Sequence, residues 1–294
     1  MTLFLQLLVN GVLIGILYAL LALGFVLIAK GSGVINFAQG ELVLLGGYLV
    51  AVLLGASGEN VFVALGGAMA VMVIVGVVIE RGVLRPLVNE PLLSLVMATI
   101  AIGTVIRGVV PLIWGTSTRS VTTVFPTGTL EFGGIRVQQP VLWAAAFALL
   151  FIGAFAMFFM RSRMGLAMQA VSDDRIASQS LGVDTRRINA IAWGTSGVTA
   201  AFTGYVWGSV LGVDPLLGMI GILVFPVVIL GGIDSIAGAL VGGVAVGIVE
   251  GMAGGYLDPI VGGGFSLVAP LLLLLIVLMV RPYGLFGRRE IERV

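Results

Sequence analysis

The stretch that decides the fold runs from Ser32 to Tyr48 and reads "SGVINFAQGELVLLGGY". Long apolar runs lie on both sides of it, yet it carries Asn36, Gln39 and Glu41 within ten residues and has glycines near both ends. Non-helical backbone at membrane depth is tolerated only where protein buries it or water reaches it. The stretch therefore predicts a membrane helix that is broken here, with polar side chains beside the break.

The composition predicts a membrane protein. The 294 residues are 59% hydrophobic and only 10% charged, and the mean hydropathy is +1.19. A soluble domain has about 25% charged residues, so this chain has too few charges for a surface in water. Apolar runs of about 20 residues recur, which is the length that crosses a hydrocarbon core of about 30 Å as a helix. We predict an all-α, polytopic membrane helix bundle that forms one transmembrane domain over 1–294.

The apolar runs predict about 8–10 transmembrane segments. The number is a range because 31–40 and 214–238 are predicted to be broken helices rather than complete spans. The segments fall at about 4–29, 34–57, 61–80, 92–113, 140–160, 188–211, 216–232, 235–256 and 265–281.

The positive charges predict the orientation. Arginines lie near Arg81, in the segment 161–187 and in the tail from Arg281, and Lys and Arg are typical of cytoplasmic loops. The C-terminus is therefore predicted to be cytoplasmic and the N-terminus periplasmic. The glycines spaced by four, Gly243 and Gly247 on one helix and Gly11 and Gly15 on another, predict close helix packing.

Several residue types are absent, and their absence excludes some functions. The chain has no Cys and no His, which removes thiol nucleophiles, histidine bases and most zinc sites. Its one lysine, Lys30, lies in "IAKGSG" and not in a phosphate-binding GxxxxGK[ST] loop. We predict a non-catalytic chain with no cofactor, no metal and no nucleic acid partner.

A second stretch resembles the first. "PVVILGGID" (226–234) and "ELVLLGGYL" (41–49) both run from an apolar segment into a Gly-Gly pair, one in each half of the chain. Interrupted segments at corresponding places in two halves indicate a transport site. The alternative is that the amides pair with loosened backbone and the acids lie at the cytoplasmic interface. The predicted substrate pathway consists of Asn36, Gln39, Glu41, Gly231, Gly232, Asp234 and Ser235.

Two further charges lie inside predicted spans. Arg107 and Glu250 are each about six residues from the outer end of their segments, which places both about 9 Å below the outer surface. An isolated charge at that depth is unfavourable by several kcal/mol. We expect the two residues to form an intramembrane ion pair.

The segment 161–187 predicts a short amphipathic helix on the cytoplasmic side. Ser172 is expected to cap it, with Asp173 and Asp174 in its first turn, and Gly182 to end it. Asp184 is expected to cap the next membrane helix. A helix lying in lipid headgroups needs a basic polar face, but this face is acidic and amide-rich, which favours docking into a groove on a cytoplasmic partner. The docking residues are Ser172, Asp173, Asp174, Arg175, Ile176, Ala177, Leu181 and Gly182.

Four separated motifs carry a resemblance that covers nearly the whole chain. They are "LGFVLIAKGSGVINFAQGE", "MGLAMQAVSDDRIASQSLGVDTRRI", "VILGGIDSIAGALVGG" and "RPYGLFG". Together they resemble the permease subunit of bacterial ABC importers for branched-chain amino acids. The resemblance implies a multi-pass protein of the inner membrane and a degenerate coupling motif at Ala177 and Gly182. It also implies three kinds of partner besides membrane lipid: a second homologous permease subunit, two cytoplasmic ATP-binding subunits, and a periplasmic or lipid-anchored solute-binding protein.

Two other functions remain open at this point. Related permeases carry urea or short amides, and the motifs do not distinguish these substrates from amino acids. An ion-coupled secondary transporter is the other alternative, although it would need paired intramembrane carboxylates or histidines.

Overall fold

The centre of the molecule is the first helix, α1 (Thr2–Ser32), which is about 46 Å long. The computed structural model describes residues 1–121, 125–281 and 284–287. α1 is apolar on every side, as is typical of a helix that is buried in a core or spans a membrane, and most of it is buried inside the bundle. Helices α5 (Gln139–Arg161), α8 (Thr185–Leu211) and α10 (Ile236–Tyr256) pack around it.

The predicted glycine contact face is confirmed. A Cβ atom built on Gly11 would lie 2.8 Å from the carbonyl oxygen of Gly247, and one built on Gly15 would lie 2.6 Å from that of Gly243. α1 and α10 therefore touch backbone to backbone and run antiparallel. Close backbone packing of this kind holds helices together in lipid, where the hydrophobic effect cannot.

The remaining helices form the outer part of the bundle. Within the described residues, six helices are long and apolar enough to cross a membrane, and two shorter apolar ones accompany them. The predicted polytopic helical fold is confirmed, and all nine predicted segments fall on helices. The further elements are α2 (Gln39–Ala56), α3 (Val61–Ile79) with a π-helical end (Glu80–Leu84), α4 (Leu92–Trp114), a 3₁₀ segment (Pro215–Leu223), α9 (Val224–Gly231), α11 (Asp258–Val261) and α12 (Phe265–Val280).

Both predicted helix breaks are present. α1 ends at Ser32, where Gly33 adopts the left-handed conformation with φ of 69°, and helical structure resumes at Gln39. α9 ends at Gly231, and Gly232 has φ of 106° before α10 begins. In both places a glycine provides a backbone angle that other residues adopt only with strain.

The loop between α4 and α5 contains a feature that the sequence did not reveal. Strands β1 (Thr129–Phe132) and β2 (Ile135–Gln138) pair antiparallel, with Thr129 opposite Gln138. The all-α prediction therefore missed one small hairpin. Two short alternating strands give a weak signal beside long apolar helices.

The segment 161–187 holds two helices, α6 (Arg163–Asp173) and α7 (Arg175–Ser180), and not one. The prediction that Ser172 caps the docking helix, with Asp173 in its first turn, is wrong because both residues belong to the end of α6. Asp174 is the cap: its Oδ1 accepts hydrogen bonds from the backbone N–H groups of Ile176 and Ala177, each at 2.9 Å. The backbone of Asp174 is extended, as a capping residue requires.

The other end of this segment agrees with the prediction. Gly182 follows α7 with φ of 86°, and its N–H donates to the carbonyl of Gln179. Asp184 caps α8 by accepting from the N–H groups of Arg186 and Arg187. The local capping signals thus set the end of α7 and the start of α8.

Candidate functional site

The two amides at the first break are buried and pair with each other. Asn36 Oδ1 accepts from the N–H of Ala38 at 3.0 Å, and Asn36 Nδ2 donates to Gln39 Oε1 at 3.1 Å. The hydroxyl of Ser196 on α8 donates to the same Gln39 oxygen at 3.1 Å. Neither amide lines any of the four cavities that are described below. This geometry matches the alternative in which the amides hold the loosened backbone.

Two neighbouring helices place the first break well inside the helix bundle and away from their own starts. Ser196, which contacts Gln39, lies eleven residues after Thr185 at the start of α8. Gly103, which faces Glu41, lies eleven residues after Leu92 at the start of α4. Both separations correspond to about 16 Å along a helix, and the hydrocarbon core is about 30 Å thick.

Arg107 forms an ion pair with Glu41. Its Nη2 donates to Glu41 Oε1, and the side chains are 55% and 9% exposed, respectively. The prediction that Arg107 pairs with Glu250 is wrong. α4 packs against α2 and the 3₁₀ segment, whereas α10 packs against α1, α9 and α12. Similar depth along two helices does not make them neighbours.

Glu250 lies in a different part of the bundle. It faces a cavity of about 350 Å³ together with Tyr18, Asn10, Trp207 and Ser266. Its carboxylate interacts with the Tyr18 hydroxyl of α1. The intramembrane carboxylate is thus surrounded by uncharged polar groups and not by an arginine.

A cleft of about 250 Å³ opens beside the Glu41–Arg107 pair. One wall is aromatic, because the rings of Phe37 and Phe225 stack with centroids 4.7 Å apart. The cleft combines a carboxylate, a guanidinium and apolar surface. Its lining consists of Phe37, Glu41, Ile100, Gly103, Thr104, Arg107, Gly218, Gly221, Ile222 and Phe225.

Glycines allow the elements of this cleft to meet. A Cβ built on Gly221 of the 3₁₀ segment would lie 2.5 Å from the Cα of Gly40 on α2. The 3₁₀ segment therefore packs against α2 at backbone distance, and the Phe225 that follows it reaches Phe37.

The second break lies apart from this cleft. Gly231 packs against the backbone of Gly238, and Ser235 caps α10 by accepting from the N–H of Gly238 at 2.9 Å. Asp234 and Ser235 line a separate cavity of about 660 Å³ that also includes Lys30. The structure therefore does not bring the seven predicted pathway residues into one site. Glu41 is the one that lines the charged cleft.

Sequence reasoning identified only Glu41 and Arg107 of the cleft and missed its other residues, of which Thr104 and Phe225 are two examples. Thr104 precedes Arg107 by three positions, so the two share a helix face, and that spacing could have identified it. Phe225 carries no local signal, because it reaches the cleft only through the packing of the 3₁₀ segment on α2.

The predicted docking helix α7 is exposed and attached to the membrane bundle. Ile176 and Leu181 are 78% and 85% exposed. Ser178 is buried, and Gln179 Nε2 donates to the Thr185 hydroxyl at 2.9 Å. α7 therefore presents apolar side chains outward while its other side is fixed to the start of α8.

A second ion pair lies beneath α7. Arg85 Nη2 donates to Glu80 Oε2 at 2.9 Å, and Arg85 Nε donates to Oε1 at 3.2 Å. Glu80 is buried and lines a cavity of about 220 Å³ together with Gln179 and Thr185. The π-helical turn at 80–84 gives the five-residue spacing that lets the two side chains meet.

Comparisons with known proteins agree along nearly the whole chain. Residues 7–280 match the family described as "Branched-chain amino acid transport system / permease component". The chain is 32% identical to the high-affinity branched-chain amino acid transport system permease protein LivH of Salmonella typhimurium, over 99% of this chain and 98% of that protein. It is also 32% identical to the corresponding permease BraD of Pseudomonas aeruginosa, with the same coverage. No solved structure matches the chain significantly.

Proposed function

This chain belongs to the family of branched-chain amino acid transport system permease components, and we propose that it is the membrane-spanning subunit of an ABC importer that translocates branched-chain amino acids. The observation that carries the proposal is the 32% identity to LivH and BraD over 99% of the chain. The chain itself is a transport component without a catalytic role. ATP hydrolysis belongs to partner subunits, in keeping with the absence of a Walker motif.

The proposed assembly has four further components. They are a second homologous permease subunit, two cytoplasmic ATP-binding subunits, and a periplasmic or lipid-anchored solute-binding protein. The N-terminus is periplasmic and the C-terminus cytoplasmic, which agrees with the arginines in the segment 161–187. Residues 1–294 act as one domain in the bacterial inner membrane.

Transport proceeds by alternating access. ATP closes the two nucleotide-binding subunits, their movement is transmitted through the 161–187 segment, and the two permease subunits rock against each other. The charged cleft at Glu41 is the part of this chain that the solute passes, because it is an open cleft within the bundle that a carboxylate and a guanidinium line. Gly231 and Gly232 act in this scheme as packing and hinge positions, and Asp234 and Ser235 lie on the cytoplasmic side of the path.

Helix α7 is the docking element for an ATP-binding subunit. Its exposed Ile176 and Leu181 fit the helix-in-groove mode, in which a few apolar side chains anchor an amphipathic helix. Ala177 and Gly182 are the small residues of the coupling motif that the family resemblance implies.

The docking proposal is tested by co-purification with the ATP-binding subunits. We expect Ile176→Asp to reduce recovered ATPase by at least about tenfold, because an anchor residue contributes about 2 kcal/mol or more to an interface. Ile260→Asp is the matched control, since Ile260 on α11 is 80% exposed at the predicted opposite side of the membrane. Equal recovery with both variants would refute docking through α7.

Uptake into proteoliposomes tests the function itself. The complex of this chain and its partner subunits should take up labelled leucine only when ATP is present on the cytoplasmic side. Uptake that follows a proton or sodium gradient without ATP would instead support a secondary transporter. Uptake of urea or a short amide in preference to leucine would support the related amide permeases.

A further inference from the structure

The Glu41–Arg107 pair has a second chemical capability beyond stabilising two helices. We propose that it is a binding site for the zwitterionic backbone of the solute, in which Glu41 binds the ammonium group and Arg107 binds the carboxylate. This inference rests on the proposed function and names the residues that recognise the substrate class. The ligand is an α-amino acid with an apolar side chain.

The position of the pair makes it costly to break. Glu41 lies in the first turn of α2 within the helix bundle, and its side chain is only 9% exposed. Removing one partner from a buried ion pair leaves an uncompensated charge, which is strongly unfavourable. That cost falls on the buried Glu41 carboxylate, because Arg107 is 55% exposed. The pair therefore opens most easily when a ligand brings a cation to Glu41 and an anion to Arg107.

A zwitterion meets this requirement and simpler ligands do not. Its ammonium replaces Arg107 at Glu41, and its carboxylate replaces Glu41 at Arg107, so one ion pair is exchanged for two. A cationic ligand leaves the charge of Arg107 uncompensated, and an anionic ligand leaves that of Glu41 uncompensated. An uncharged amide leaves both charges uncompensated. The pair thus discriminates against every analogue of the solute that lacks a charge.

Glu41 is held in place and Arg107 is able to move, and a site that exchanges its own ion pair for a ligand needs this difference. Glu41 is held in the first turn of α2, where the helix dipole favours a carboxylate, and Gly103 leaves room for its oxygen. Arg107 is 55% exposed on α4, so its long side chain can swing into the cleft. Its planar guanidinium can bind a carboxylate through two parallel hydrogen bonds.

The rest of the cleft suits an aliphatic side chain. Phe37 and Phe225 stack to form one wall, and Ile100 and Ile222 provide further apolar surface. The volume of about 250 Å³ lies just below the roughly 300 Å³ at which pockets for drug-sized ligands begin. A single amino acid fits such a space better than a peptide does.

The test measures charge selectivity in the complex reconstituted in nanodiscs without the solute-binding protein. Binding of labelled leucine is competed with leucine, with leucinamide, which lacks the carboxylate, and with 4-methylpentanoate, which lacks the ammonium. In the unmodified complex we expect leucine to compete about tenfold or more better than either analogue, the factor expected for one charge-assisted contact.

Single substitutions should remove these preferences one at a time. R107M should abolish the preference of leucine over leucinamide, and E41Q should abolish the preference over 4-methylpentanoate. The double variant E41Q/R107M leaves no uncompensated charge, so it should assemble normally and yet bind leucine at least about tenfold more weakly. The control E80Q/R85M removes the charges of the Glu80–Arg85 ion pair. In this variant, leucine, leucinamide and 4-methylpentanoate should compete in the same order as in the unmodified complex.

Other outcomes would overturn the inference. If E41Q/R107M binds leucine like the unmodified complex, the pair is only a structural contact. The same conclusion follows if R107M and E41Q lower thermal stability but leave the order of the three competitors unchanged. ATP-driven leucine uptake is measured on the same preparation, so a failure of the proposed function is seen separately. If the complex binds the three competitors selectively but takes up no leucine, the transport role is refuted and the binding site is retained.

Discussion

The two helix breaks look alike in sequence and are closed in different ways. At the first break, Gly33 has open space around it, and the buried side chains of Asn36 and Gln39 fill the gap. At the second break, a Cβ on Gly232 would lie 2.7 Å from the backbone nitrogen of Gly287. The first break is closed by side chains and the second by another stretch of backbone.

This backbone belongs to the C-terminal motif that begins at Arg281. The N–H of Leu285 donates to the carbonyl of Leu230 at 2.8 Å, and the N–H of Phe286 donates to that of Gly231 at 3.1 Å. These contacts satisfy carbonyl groups that the end of α9 leaves without partners. The second break is therefore a docking point for the chain end.

The difference shows how a broken helix acquires a function. Side chains that close a gap leave their neighbours free to face a cleft, as Glu41 does at the first break. At the second break, Asp234 and Phe286 of the closing segment line a cavity of about 660 Å³, which is separate from the charged cleft. Three sets of substitutions test this contrast, and we order them by the size of the effect expected.

The largest effect should come from valine at the glycine contacts. A Cβ on Gly231 would lie 2.1 Å from the oxygen of Gly238, and one on Gly40 would lie 2.3 Å from that of Gly218. Overpacking costs about 1–3 kcal/mol and more when backbone must move. We expect Gly231→Val and Gly40→Val each to reduce stability by about 3 kcal/mol or more. The yield of monodisperse protein and its thermal unfolding in detergent measure this.

The control for these variants is Gly66→Val, because no atom lies within 4 Å of a Cβ at Gly66. That variant should unfold at the temperature of the unmodified protein. If Gly231→Val were as stable as Gly66→Val, the close backbone contact between α9 and α10 at the second break would be refuted.

An intermediate effect should follow from removing the buried amide at the first break. Gln39→Leu leaves the Ser196 hydroxyl and the Asn36 amide without their acceptor. An unsatisfied buried polar group costs about 1–3 kcal/mol. Asp234→Asn at the half-buried second break should change stability by less than about 0.5 kcal/mol. Denaturant unfolding in detergent compares the two, and equal losses would contradict the side-chain closure of the first break.

The smallest effect should come from the chain end. Leu285→Pro removes the N–H that donates to Leu230, which contributes about 1 kcal/mol. Hydrogen exchange should become faster in 229–235 and stay unchanged in 33–41. Leu285→Ala retains the donor and is the control. Faster exchange at both breaks would mean that they are not independent.

The sequence predicted those features that depend on neighbouring residues. The breaks at Gly33 and Gly232 follow from glycine next to polar residues, and Asp184 followed from a capping residue before an apolar run. Ser172 failed as a cap because Asp174, two residues later, competes for the same role and has the extended backbone. A capping signal fixes a boundary only to within a few residues when several candidates adjoin.

The partner of Arg107 could not be predicted in the same way. Glu41 and Glu250 both lie within apolar helices, so either could have met the requirement for a compensating charge. Which one does so depends on the order of the helices around α1.

By itself, the sequence determined that this protein is a broken-helix membrane bundle of a transport family, because composition, apolar length and glycine position act locally along the chain. Only the tertiary structure decided that Glu41 meets Arg107, that the amides are sealed, and that the second break receives the chain end. The physical reason is that in lipid every helix forms its backbone hydrogen bonds within itself. Which helices become neighbours therefore depends on close-packed small residues and on a few polar contacts between segments far apart in the chain.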